Sequence, residues 1–229
     1  MRPPTRFVFL GAPGVGKGSF ASIIGPQLGL STVGVGDLVR DEVNQGTVVG
    51  KQLKAFSDGG QLAPDEAINR LVKRRLQQPD ASRGFILDGF PRNLAQAAWL
   101  ESSGIGVDRV VNITLPEWVT VAKSAARRAC PVCRKSFNVA DVNKDGYEMP
   151  KILPDFDTCG GGSRCPGSVE KLETRKDDTA DIIRQRLAVY RSETTPLIDF
   201  YEAKGLLKNF PVRRGIQDKD ALVDVMVPS

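Results

Sequence analysis

The sequence predicts an α/β fold in which helices cover both faces of a five-stranded parallel sheet. Five short apolar segments, rich in β-branched and aromatic residues, read as buried strands. Longer segments of helical period lie between them, and a glycine-rich turn closes the first strand. Strands alternating with helices of this length join as parallel βαβ units, whose sheets need a helical layer on each side.

In chain order, Arg6-Phe7-Val8-Phe9-Leu10 forms the first strand, stopped at Gly11, and a helix is expected near 17–28. Leu30 to Val35 reads as the second strand, followed by helical patterns near 37–57 and 64–77. Gly84 to Leu87 is the third strand, before a helix near 93–103. Arg109 to Leu115 is the fourth, before a helix near 116–129. A long helix near 176–203 leads to the last strand, Leu206 to Val212. Residues 130–174 break the pattern, with all four cysteines, the run Gly160 to Gly162, four prolines and little periodicity. An irregular stretch of that length is a lid, an inserted module or a disordered loop. Arg127-Arg128 at its entry and Arg175-Lys176 at its exit favour a module that folds down over an anion.

The 229 residues suit one sizeable domain with a smaller insertion. Histidine is absent, which excludes His-based triads, His metal ligands and His general bases. No apolar run approaches the ~20 residues of a bilayer span, and the opening Met1 to Arg6 is too short to precede a signal h-region, so no secretory leader is expected. The net charge of +5 is compatible with an anionic partner but too modest to indicate nucleic acid.

Gly11-Ala12-Pro13-Gly14-Val15-Gly16-Lys17 follows a strand and opens a helix, the context in which a glycine-rich loop cradles phosphates. Its backbone N–H groups turn inward, the helix N-terminus adds partial positive charge, and Lys17 adds a full one. Gly14, Val15, Gly16, Lys17, Gly18 and Ser19 are the expected nucleotide contacts. Gly18 follows the lysine and the hydroxyl comes one place later at Ser19, a spacing that points from GTPases towards small phosphotransferases. On the long helix, Ile182, Ile183, Leu187 and Tyr190 define an apolar arc that contains Arg186. A guanidinium there either binds an anion or snorkels to solvent or a carboxylate. Arg175 and Lys176 sit at a helix start, where cations oppose the dipole while Asp177 and Asp178 complement it.

Cys130-Pro131-Val132-Cys133 is a good metal half-site, and Cys159 and Cys165 offer the remaining thiolates of a tetrahedral zinc site. Reduced structural cysteines, or disulfides in an oxidising compartment, are the alternatives.

With these motifs the chain resembles an adenylate kinase of the nucleoside monophosphate kinase family. Gly34 to Arg40 is similar to the family's acceptor motif, and Leu87-Asp88-Gly89-Phe90-Pro91-Arg92 to its second signature. Arg127-Arg128, Arg175 to Asp178 and Arg186 follow in the family's order. Among long-lid members the chain is most similar to plant organellar forms, through Cys130 to Cys133 and Phe137-Asn138-Val139-Ala140-Asp141-Val142-Asn143.

The resemblance implies a P-loop three-layer fold with core 1–33, 64–126 and 177–229, an acceptor-binding segment 34–63 and a lid 127–176. It implies Mg2+-dependent, reversible transfer, ATP + AMP giving two ADP, in a monomer with no nucleic-acid or membrane partner. Lys17, Arg92, Arg127, Arg175 and Arg186 would be catalytic, with Asp88 organising magnesium through water. Lys123, Ser136 and Phe137 would meet the donor base beside Arg127. Val35, Gly36, Arg40, Gln61, Leu62 and Ala63 would surround the acceptor, with Gly89, Arg92 and Gln96 opposite and Arg175 and Arg186 reaching in. Two positions depart from the family pattern: Val35 replaces a hydroxyl residue beside the acceptor base, and Lys123 an arginine. Val35 keeps a different nucleotide pair open, for example GTP as donor or another monophosphate as acceptor. A nucleotide-binding regulator with weak catalysis is the reading from another class. The compartment expected is cytoplasmic, or an organelle interior (mitochondrion or chloroplast) if a transit peptide has been removed.

Overall fold

The computed structural model describes residues 5–59, 61–133, 135–154, 159, 165, 167–174 and 178–227. Arg175, Lys176, Asp177 and the run Gly160 to Gly162 lie outside them.

The expected sheet is present. Strands β1 (Arg6–Leu10), β2 (Ser31–Gly34), β3 (Phe85–Asp88), β4 (Arg109–Thr114) and, near the C-terminus, Leu207–Pro211 are all parallel. Their spatial order is β2, β3, β1, β4 and the C-terminal strand. Alternation along β1 sends Phe7 and Phe9 to one face and Val8 and Leu10 to the other, and each pair belongs to a separate apolar cluster. The first cluster holds Phe20 and Ile24 of helix α1 (Lys17–Gln27). The second holds Phe90, Leu197 and Tyr201. The sheet is thus covered on both faces, as the near-continuous apolar strands require.

The expected helix over 37–57 is two helices, α2 (Val35–Asn44) and α3 (Val48–Asp58). Gly46 breaks it with φ +65°, and a Cβ at Gly50 would lie 2.0 Å from the Glu42 carbonyl oxygen, so the helices cross closely there. Val35, expected at a strand end, opens α2. Helices α4 (Asp65–Leu76) and α5 (Leu94–Ser102) match expectation. Leu38, Val39, Leu53 and Leu71 form a small cluster that joins α2, α3 and α4.

Helix α6 (Glu117–Ala125) stops short of the expected 129, because Arg127–Ala129 forms strand β5, paired antiparallel with β6 (Ser136–Asn138). A hairpin of β7 (Val142–Lys144) and β8 (Tyr147–Met149) follows. The stretch after residue 130 is therefore an inserted module, with Cys130, Phe137, Cys159 and Cys165 as its own core. The long helix expected over 176–203 is α7 (Ala180–Val189), a π turn at Tyr190–Thr194 and α8 (Pro196–Ala203). The C-terminal strand, β9, leads to α9 (Lys219–Met226), whose Leu222 and Met226 seal the first cluster. That last helix has no counterpart in the sequence reading.

Candidate active site

The first βα turn places Lys17 over the glycine loop. Its Nζ donates to the Gly11 carbonyl at 2.7 Å and the Ala12 carbonyl at 3.0 Å. Gly14 takes φ +93°, and a Cβ there would lie 2.0 Å from Ser124 Oγ of α6, so only glycine lets the loop lie this close. Beside it, β3 ends at Asp88, with Phe9 as its register partner on β1. A Cβ on Gly18 would meet Asp88 Oδ2 at 2.9 Å, which accounts for the glycine after the lysine. The carboxylate, the lysine and the half-buried Ser19 thus stand at one helix start. That donor set of carboxylate and hydroxyl oxygens suits Mg2+, a hard cation that keeps several waters.

Cations converge on this point. Burial pulls the Lys17 ammonium down to about 8; Asp88 opposes the shift, while Arg92, Arg127 and Arg186 add to it. Burial raises the Asp88 carboxyl, against the pull of Lys17 and Arg92. At Arg92, burial and then Arg186 disfavour the charged form. Arg92, Arg127 and Arg186 thus bear electrostatically on the partly buried Lys17, a concentration of positive charge that suits an anion. Arg186 lies on the inward arc with Ile183 and Leu187, as its period predicts.

The backbone of Arg92 is held from both sides. Its N–H donates to Gln96 Oε1 at 2.8 Å, and its carbonyl accepts from Thr194 Oγ1 of the π turn at 2.7 Å. Arg92 Nε donates to the Gly89 carbonyl at 2.9 Å, and a Cβ on Gly89 would lie 3.1 Å from Arg92 Nη2. Gln96 is 2% exposed, and its Nε2 donates to Asp65 Oδ1 at 2.7 Å. One N–H and one lone pair of that amide remain for a base edge. Gln61, Leu62 and Ala63 line a groove of about 400 Å3 with Asp65, Asn93 and Ser192. Arg40 pairs with Asp37 across Gly36, whose Cβ would sit 3.2 Å from Arg40 Nη1. Val35 packs into the second cluster with Val33, Leu87 and Phe90, so its side chain faces the core.

At the lid, Arg127 Nε donates to Asp178 Oδ2 at 2.8 Å, and its Nη2 pairs with Oδ1. The pair ties the module's entry to its exit. Asp178, expected to complement a helix dipole, is instead this buried partner; Thr179 caps α7. The donor-base set is redistributed. Ser136 is exposed on β6, whereas the Phe137 ring is buried among the cysteines and cannot face a base. Lys123 donates to the carbonyls of Ala140 (3.1 Å), Met149 (3.1 Å) and Pro150 (3.3 Å). All three of its N–H groups are engaged, which replaces the expected base contact with a structural one. Sequence reasoning missed Thr194 and Asp65, and gave Asp178 a different partner. Their partners are remote in the chain, and no local motif marks them.

The four cysteine Sγ atoms lie within 4.8 Å of one another, and none is in a disulfide. Cys133 and Cys159 are 3.8 Å apart. A tetrahedron with ~2.3 Å Zn–S bonds has edges of about 3.8 Å, so the thiol set fits zinc. At Cys133 burial raises the thiol, but hydrogen bonds from the Lys135 N–H and the other three cysteines outweigh it and bring the thiol to about 6.

A parallel sheet with a phosphate loop, a carboxylate beside it and arginines bearing on the loop from separate elements defines a P-loop phosphotransferase. The family model "Adenylate kinase" matches residues 9–206. An adenylate kinase of Thermodesulfovibrio yellowstonii is 41% identical, over 89% of this chain and 90% of its own. One from Solanum tuberosum is 40% identical, over 93% and 73%. The GTP:AMP phosphotransferase of Plasmodium falciparum is 38% identical, over 97% and 96%. The chain belongs to the adenylate kinase family, nucleoside monophosphate kinases that interconvert ATP + AMP and two ADP and take their nucleotide with Mg2+.

Proposed function

We propose that Lys17, Arg92, Arg127, Arg175 and Arg186 carry this reaction, with the acceptor in the 34–63 segment and the lid, 127–176, closing over the donor. The observation that carries the reading is the glycine loop itself, where Lys17 Nζ sits on the Gly11 and Ala12 carbonyls and Asp88 stands against Gly18, with Arg92, Arg127 and Arg186 bearing on the lysine from other elements. An acceptor phosphate oxygen forms its bond to the γ-phosphorus as the bridging bond to the β-phosphate breaks. The nucleotide that leaves is ADP, and the acceptor becomes ADP. Lys17 stabilises the β- and γ-oxygens, Arg92 spans the acceptor phosphate and the moving group, and the lid arginines neutralise charge while excluding water. Asp88 and Ser19 are the residues that would hold magnesium, which supplies further charge neutralisation when bound. The remaining acceptor contacts are Gly36, Arg40, Gln61, Leu62, Ala63, Gly89 and Gln96.

The cysteines hold structural zinc, and cysteines outside any disulfide suit a reducing compartment, cytoplasmic or within an organelle. The chain acts as a monomer. Among the described residues no helix is long and apolar enough to cross a membrane. A second reading changes the donor base to guanine. The Plasmodium falciparum relative, 38% identical over 97% of this chain, is named for GTP.

A coupled assay over donor and acceptor nucleotides tests both. ATP with AMP should turn over fastest; GTP with AMP as the best pair would select the second reading. No turnover with any pair would leave a nucleotide-binding regulator. Lys17→Ala and Arg92→Ala should each lower kcat at least ~100-fold with the melting temperature retained. Near-normal rates in either would overturn the assigned roles.

A further inference from the structure

Lys123 is 9% exposed, on the inner side of α6. Its three carbonyl acceptors all belong to the chain around the β7–β8 hairpin. Asn138, just before the hairpin, returns a bond from Nδ2 to the Lys123 carbonyl at 2.7 Å. A compact ammonium with three donors can satisfy three converging carbonyls, whereas a planar guanidinium cannot place its fork on them. This is a physical reason for lysine at 123.

The hairpin is fixed to the core at other points too. The Glu148 N–H donates to the Arg213 carbonyl at 2.9 Å. The Arg213 guanidinium lies 4.6 Å from the Tyr147 ring centroid, and Tyr147 meets Trp118 of α6 edge-on at 6.0 Å. Met149 is 2% exposed and rests against Gly215. Asp218 accepts from the N–H groups of Arg213 and Arg214, which firms the turn that receives the hairpin. Val142 and Met149 join the cluster that contains Val15 and touches Ala12 of the phosphate loop. Val35 and the acceptor side belong to the other cluster. The hairpin therefore lies on the donor side of the molecule.

We propose that Lys123 is a positioning residue that clasps the β7–β8 hairpin between α6 and the 213–218 turn, and so fixes the wall against which the donor nucleotide binds. The hairpin belongs to the lid segment but is held to the core, leaving the cysteine-bearing part to move about it. The donor effect rests on the functional reading above; the clasp itself does not.

Hydrogen exchange of hairpin peptides in the nucleotide-free protein tests the clasp, and steady-state kinetics test the wall. Lys123→Met keeps the stem and removes the donors. It should speed exchange over 138–150 roughly tenfold, as local opening becomes easier, and raise the ATP KM severalfold with the AMP KM unchanged. Lys123→Arg should give an intermediate result, and Tyr147→Ala, which leaves Lys123 in place, should shift exchange and ATP KM in the same directions. Should Lys123→Met not fold, Lys123→Arg and Tyr147→Ala carry the test. Unchanged exchange in the folded variants overturns the clasp. A raised ATP KM with unchanged exchange assigns Lys123 to the base instead, and faster exchange with an unchanged ATP KM overturns the wall. Loss of all turnover in the wild type would sink the functional reading and leave the exchange result standing.

Discussion

Arg92 is proposed above to act at the reacting phosphates, and its geometry is set by neighbouring groups on other elements. Thr194 is 8% exposed and donates to the Arg92 carbonyl, while Gln96 takes the Arg92 N–H and is itself held by Asp65. The π turn brings Thr194 inward, a local irregularity of the kind often found at functional sites. Thr194→Val keeps the shape and removes the donor, which leaves a buried carbonyl short of a partner. A hydrogen bond of this kind contributes about 1 kcal/mol, so kcat should fall roughly fivefold. Thr194→Ser should restore most of the rate. A purely structural residue would lower the melting temperature and both KM values together; here the AMP KM should move and the ATP KM should not. Equal rates for Thr194→Val and wild type would remove Thr194 from the positioning of Arg92.

Among the elements, the cysteine-bearing module is the one proposed above to depend on something outside the chain. Its core consists of Cys130, Phe137, Cys159 and Cys165, with Ile152 and Leu172 packed against them, too little apolar surface to hold a fold alone. Purified protein should contain one zinc per chain by elemental analysis. Chelation should lower the melting temperature and open 127–174 to limited proteolysis, with the parallel sheet intact. Metal-free protein with the same cleavage pattern would show that the thiols pack without an ion. The elements also mark the reach of sequence reasoning. Strand β1, its loop and α1 were legible because period, glycines and lysine all agree locally. The break between α2 and α3 had a signal in Gly46, outweighed by the helical period on both sides. The end of α6 had none: Arg127–Ala129 becomes a strand because Ser136–Asn138 pairs with it across the cysteine turn. The same division runs through the site. Lys17 and Arg186 could be read from spacing and period, but Lys123 meets carbonyls 17 to 27 positions away and Thr194 meets Arg92 across 102 positions.

The charge state of Lys17 is a property of the whole molecule. The lysine opens α1, Asp88 ends β3, Arg92 follows that strand, Arg127 enters the lid and Arg186 lies on α7. Burial and those three arginines bring the ammonium from its ordinary value near 10.5 to about 8, despite Asp88. Between those values the folded, nucleotide-free protein binds fewer protons than the unfolded chain, so this group makes stability rise with pH above about 8. A polyphosphate reverses the balance. Its oxygens favour the charged ammonium, so the complex recovers the proton that the free protein has released. ATP affinity should therefore fall as pH rises above about 8, by up to ~10-fold per pH unit. At pH 8.5 binding should take up a substantial fraction of a proton, the part then missing from Lys17. Isothermal titration in buffers of different ionisation enthalpy measures that fraction. Lys17→Arg, charged at every accessible pH, should abolish the uptake. Buffer-independent heats in the wild type would mean that Lys17 keeps its proton without nucleotide, and that the arginines do not bear on it as the folded arrangement requires.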